Sequence, residues 1–204
     1  MELLQRIQRW YTINCNGDWE HSYGLSVWHG ISVQTLDNPG WIVSINLKDT
    51  CLDASAMSYV LHERNSTNWF GYKVENERFE GIGGPENLTE ILAYFLDTFI
   101  PTHIDPSSTL DVYLPIVGHE GHLWRHAETR MITESAVEII SITDSKSPNA
   151  IVWRSDEELD LMTHLKNSSS SLRTDFQVGD IIEPTVFQVE HSMLDIFLVA
   201  PVKK

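Results

Sequence analysis

Apolar residues return every three or four positions at Leu3, Leu4, Ile7, Trp10 and Tyr11, with Gln5, Arg6, Gln8 and Arg9 on the opposite side. That spacing predicts a short amphipathic helix over the first dozen residues. A strict alternation begins after Asp37-Asn38-Pro39-Gly40: Trp41, Val43, Ile45 and Leu47 fall on one side of an extended chain, and Ser44, Asn46 and Lys48 on the other. Pro39 and Gly40 suit the second and third positions of a type II turn, so the β-rich run from Leu25 to Thr35 is expected to pair back across it. Trp69 to Glu80 predicts another hairpin with Glu75-Asn76-Glu77 at its tip.

The clearest helical period lies between Pro85 and Ile100, where Leu88, Ile91, Leu92, Phe95, Leu96 and Phe99 form one stripe. Pro85 fits the first turn and Pro101 the stop. The pattern predicts a sheet face bearing Trp41, Val43 and Ile45 packed on the Leu92 and Phe95 stripe. Residues 1–101 thus read as an α+β domain, an antiparallel sheet packed with helices.

Residues 102–109, rich in small polar residues and proline, have linker composition. Beyond them, short runs rich in β-branched residues at Leu110–Val117, Leu123–Ile132, Ala136–Ile142, Asp180–Val189 and Asp195–Val202 predict a small, mostly-β, barrel-like domain over 110–204. An insertion at 143–175 interrupts it. There Ser155-Asp156-Glu157-Glu158 has the form of a capping box and opens a helix to about Leu165, ahead of a serine-rich loop.

Charge narrows the function. The chain has 204 residues, with 14 Lys+Arg against 29 Asp+Glu, a formal −15. The excess is spread evenly, −7 over residues 1–104 (6 basic, 13 acidic) and −8 over 105–204 (8 basic, 16 acidic). Such a surface repels nucleic acid and anionic membranes and suits a basic protein partner. Cys15 and Cys51 are too few for a disulfide scaffold or a thiolate zinc site. The start MELLQRIQRWY has no apolar signal core, so we expect a reducing cytoplasm.

Three stretches invite a catalytic reading. His119-Glu120-Gly121-His122, followed by His126, is the one segment on which a metal-dependent hydrolase could be built. Its first two histidines are three apart around a glycine, whereas a zinc-protease helix needs them four apart. Gly81-Ile82-Gly83-Gly84-Pro85 precedes a helix but lacks the Lys-Ser/Thr of a phosphate loop, and Pro85 removes an amide donor. No Gly-x-Ser-x-Gly elbow accompanies the cysteines. We therefore expect no catalytic residue, no metal and no cofactor. The acids and indoles of Cys15-Asn16-Gly17-Asp18-Trp19-Glu20-His21 fit either a tied loop or a surface that grips another protein, and an open strand edge in the β-rich part would make a general interaction module.

One resemblance decides among these. Trp10-Tyr11, Cys15 to His21, Tyr23-Gly24, Thr35-Leu36-Asp37-Asn38-Pro39-Gly40-Trp41, Phe79-Glu80-Gly81 and Gly83-Gly84-Pro85-Glu86-Asn87-Leu88 together resemble the immunity protein 53 family of bacterial polymorphic toxin systems. The likeness covers about residues 1–101, with Leu25 to Gly30 lengthening the interval between two of its blocks. It implies a non-enzymatic protein that binds a cognate toxin domain and occludes its active site. It also directs attention to Asp18, Trp19, Glu20, Asp37, Asn38 and Trp41 as toxin contacts. Val112 to Pro115, Glu120-Gly121, Trp124-Arg125 and Phe176 to Ile182 resemble a small uncharacterised bacterial β-barrel module, from which no activity follows.

Overall fold

The structure is a computed structural model that describes residues 2–14, 30–155, 165, 172–188 and 196–203. It is α+β and divides into two compact units, Met1–Ser108 and Thr109–Lys204.

The first unit is a five-stranded antiparallel sheet in the order β1-β2-β5-β4-β3. The strands are β1 (Ile31–Leu36), β2 (Gly40–Asn46), β3 (Met57–Glu63), β4 (Trp69–Glu75) and β5 (Arg78–Gly83). The β4–β5 hairpin turns at Asn76 and Glu77, both with positive φ (51° and 55°), the backbone of a tight two-residue turn. The β1–β2 connection departs from expectation. Gly40 does not have the positive φ that a type II turn requires at its third position, and it already pairs with Leu36 as the first residue of β2. A glycine sits there for space, because a Cβ would stand 2.5 Å from the Gly83 carbonyl oxygen on the neighbouring strand.

One sheet face carries Val43, Ile45, Phe70, Tyr72, Val74 and Phe79, all buried. Helix α1 (Leu3–Asn14) and helix α2 (Leu88–Tyr94) belong to the layer on that side. Ile7, Trp10 and Ile13 of α1 are buried while Leu4 points to solvent, as the amphipathic pattern requires. The indole of Trp10 meets Phe95 edge-on at 5.1 Å, and Phe79 lies 5.0 and 4.9 Å from Phe95 and Phe99. Asn14, also buried, is satisfied at both ends of its amide: it donates to the Trp10 carbonyl at 3.0 Å and accepts from the Cys51 amide at 3.2 Å.

Pro85 and Pro101 do not bound the second helix as the sequence suggests. Pro85 lies in a turn ahead of it, and helical structure runs past Pro101 through α3 (Ile100–His103). Proline has no amide for the carbonyl four residues back. Just before it the chain shifts to a π turn over Phe95–Phe99, in which the Ile100 N–H reaches back five residues to Phe95 O. The buried set becomes Ile91, Phe95, Leu96, Phe99 and Ile100, with Leu88 and Leu92 only half-buried. Residues with linker composition are drawn onto this unit. Asp53 N–H donates to His103 O at 2.6 Å, Asp105 N–H donates to Cys51 O at 2.9 Å, and Leu52 bridges Ile104.

The second unit is a curled half-barrel sheet. Its strands are β6 (Leu110–Pro115), β7 (Leu123–Met131), β8 (Val137–Ile142), β9 (Ile151–Trp153), β10 (Ile181–Ile182), β11 (Thr185–Gln188) and β12 (Ile196–Val199). They run β10-β8-β7-β6-β12-β11, and β9 pairs with β7. The Asp180–Val189 run is two strands, because Glu183-Pro184 separates β10 from β11. The 143–175 insertion contributes a strand, β9, and Ile151 packs with Ile116, Leu123, Ala150 and Leu172. Of the helix expected there, all but Ser155 and Leu165 lies outside the described residues. Among the described residues no helix is long and apolar enough to cross a membrane.

Candidate functional site

Strand pairing brings three connections to one end of the five-stranded sheet. Leu36 pairs with Gly40, Trp41 with Gly83, Gly83 with Phe70, and Trp69 with Glu63. The 37–39 turn, the 84–87 connection and the 64–68 turn therefore emerge side by side. Two of the blocks that carry the family resemblance, distant in sequence, meet here.

Hydrogen bonds fasten them. The Trp41 indole N–H donates to the Pro85 carbonyl at 2.8 Å, and Gly84 N–H donates to Trp69 O at 2.9 Å. Asn87, buried at the start of α2, donates to Asn68 Oδ1 at 3.0 Å and to Glu90 Oε2 at 2.7 Å. Arg64 grips the Glu90 carboxylate through both terminal nitrogens and Asn68 Oδ1 through one. Its guanidinium holds the Glu90 carboxyl below the usual carboxylate range. The side-chain Oδ1 of Asn65 closes the 64–68 turn by accepting from the amides of Thr67 and Asn68 at 3.0 and 2.9 Å.

What this end shows to solvent is different in kind. Asp37, Asn38, Pro39, Pro85 and Glu86 are exposed. Arg64 is already committed to Glu90, so the carboxylates of Asp37 and Glu86 set the sign of the surface. Trp41 is half-buried with its one polar atom bonded internally, which makes it a tie between β2 and the 84–87 connection. Asp18, Trp19 and Glu20 lie outside the described residues.

Residues 4–99 match the family model of immunity protein 53. The match spans most of the first unit and just under half of the chain. No curated protein and no solved structure matches the chain. The family name implies an immunity protein to a toxin.

The other candidate sites acquire structural roles. The first unit uses Gly81 to Pro85 to lead from β5 into α2. Cys51 is buried at 1% exposure, and burial pushes its thiol up, away from the reactive thiolate; Cys15 is outside the described residues. In the second unit Gly118 and Gly121 have φ of 80° and 83°, so the His119–His122 segment is a turn and not a helix. Gly118 N–H donates to Glu120 Oε1 at 2.9 Å, which with the other backbone amide bonds holds that carboxyl low. His126 sits in β7 with Nε2 donating to Asp111 Oδ1 at 2.9 Å and Nδ1 2.6 Å from the Thr143 hydroxyl. No group of three His, Cys, Asp or Glu residues that could hold a metal occurs among the described residues.

One strand of the first unit escapes the sequence pattern altogether. Strand β3 has apolar residues in succession, Tyr59-Val60-Leu61, so it shows no alternation to read. The available signal was the β-branched and aromatic content of Met57–Leu61 alone.

Proposed function

We propose that this chain is a non-enzymatic immunity protein that binds a cognate toxin domain and occludes its active site. The match of residues 4–99 to the immunity protein 53 family carries this reading. The charge supports it: with 29 acidic residues against 14 basic, the chain is suited to a cationic toxin that acts where an acidic surface can cover it. Opposite charge speeds encounter by roughly 10–10³-fold and disfavours wrong partners. We take the protein to work in the cytoplasm as two domains, with the toxin and neither nucleic acid nor membrane as its partner. The contact residues we assign are Asp18, Trp19, Glu20, Asp37 and Asn38. Trp41 stands with them in the motif, and its internal bond to Pro85 argues for a supporting part.

Titration of the toxin domain with paired variants tests the assignment. Asp37→Lys, alone and with Asp18→Lys and Glu20→Lys, is expected to weaken binding about 10-fold or more, chiefly through a slower association rate, with the melting temperature nearly unchanged. Trp41→Phe removes one hydrogen bond. It is expected to cost about 1 kcal/mol of stability and to leave affinity intact. Unchanged affinity with Asp37→Lys, or a large affinity loss with Trp41→Phe, would reverse these roles.

A further inference from the structure

Strand β3 is the last strand in its sheet, and no described residue pairs with its outer edge. Edge strands are usually protected by charge, proline or a covering element, because unpaired backbone amides and carbonyls invite another strand. β3 has none of these along its middle: Tyr59, Val60 and Leu61 are 47%, 36% and 49% exposed. The opposite edge, β1, places Ser32, Gln34 and Thr35 among its residues and has Val33 as its one large apolar side chain in the same exposure class.

Register extends the apolar strip inward from β3. Leu61 pairs with Gly71, Gly71 with Ile82, and Ile82 with Ile42, so these positions form one row on the sheet face away from the helices. Gly71 contributes no side chain, and the Tyr59 ring lies over it in that gap. Ile42 and Ile82 are half-buried. The strip therefore begins at a free backbone edge and continues as a shallow apolar surface.

Its border is acidic. On β3, β4, β5, the 64–68 turn and α2, four carboxylates, Glu63, Glu75, Glu80 and Glu90, stand against three cations, Arg64, Lys73 and Arg78. Two of the three are already engaged: Arg64 with Glu90, and Lys73 with Glu75 at 2.6 Å and Glu80 at 3.6 Å. A second copy of this chain would bring the same carboxylates opposite these, and like charges across a strand pair are destabilising. An extended segment that alternates apolar side chains with Lys or Arg meets no such conflict.

We infer that β3 is a docking edge, and that a basic, extended segment of the toxin adds to the sheet there as a sixth strand, its apolar side chains on the Tyr59–Leu61 strip. Main-chain hydrogen bonds supply affinity in such an addition and the alternate side chains supply register. The inference rests on the toxin-binding reading. β3 leads through the 64–68 turn at the sheet end that displays Asp37 and Glu86, so one partner can engage both.

The test is calorimetric titration of the full chain with the cognate toxin domain, held in a catalytically disabled form. Leu61→Lys, which puts a lysine on an exposed edge position, is expected to weaken binding about 10-fold or more, as loss of a central apolar anchor does, while the melting temperature stays within a few degrees. Val33→Lys on β1, an exposed valine at the opposite edge, is the control for added charge and is expected to bind as the parent does. Equal binding by Leu61→Lys overturns the docking edge and leaves the toxin-binding reading standing. Equal losses from both lysines overturn it too, since added positive charge alone would then be the cause. A parent chain that is a dimer, dissociated by Leu61→Lys, assigns the edge to self-association instead. A parent chain that does not bind the toxin removes both readings.

Discussion

Phe79→Ala is expected to cost the first unit about 3–5 kcal/mol, the usual loss when a fully buried phenylalanine is truncated. Phe79 is 0% exposed and is the point where the layers meet: its ring lies 6.2 Å from Tyr72 in the sheet and 5.0 and 4.9 Å from Phe95 and Phe99 in the π turn. Removing it opens a cavity between sheet and helix that neither can fill without giving up another ring contact. Domains of this size are stable by only about 5–15 kcal/mol, so the loss should lower the melting temperature by on the order of 20 °C. Urea denaturation followed by tryptophan fluorescence measures it directly. A loss below about 1 kcal/mol would mean that the rings around Phe79 do not form the unit's core.

The second large effect concerns the sheet end. Gly84→Ala is expected to destabilise by about 1–3 kcal/mol, typical of forcing a methyl group into a filled site. A Cβ at Gly84 would overlap the Thr67 carbonyl oxygen, and backbone cannot move aside as a flexible side chain can. The adjustment must separate the 64–68 turn from the 84–87 connection. That separation strains the Gly84-to-Trp69 bond and the Asn87-to-Asn68 contact. Toxin affinity should fall with it if contact residues are positioned by this clamp. Gly84→Ala with parental stability would contradict the close approach of the two connections.

The part of the fold that was legible in sequence is the part where one face is buried and the other is wet. The Val43, Ile45, Leu47 alternation and the Leu3-to-Tyr11 period carry that asymmetry, and so identify β2 and α1. Where both faces share a character the signal vanishes: β3 is exposed on both sides at Tyr59, Val60 and Leu61, and its succession of apolar residues reads as nothing in particular. Pro101 does not stop the helix that its sequence position predicts, because a π turn satisfies the preceding carbonyls locally and lets the helix resume. Gly40 suits a turn conformation by sequence but serves proximity to Gly83, a constraint that exists only once the strands are paired. At the site, the motif blocks around Asp37 and Pro85 announced themselves as strings, but their meeting depends on the β2–β5 register, which no local pattern encodes.

The most direct measurement is the activity of the toxin domain titrated with the purified full chain. The account predicts that activity falls to background as the chain reaches a one-to-one ratio, with nanomolar affinity and with a marked weakening as salt is raised, since complementary charge drives the encounter. Toxin that stays fully active in a several-fold excess of folded chain would contradict it.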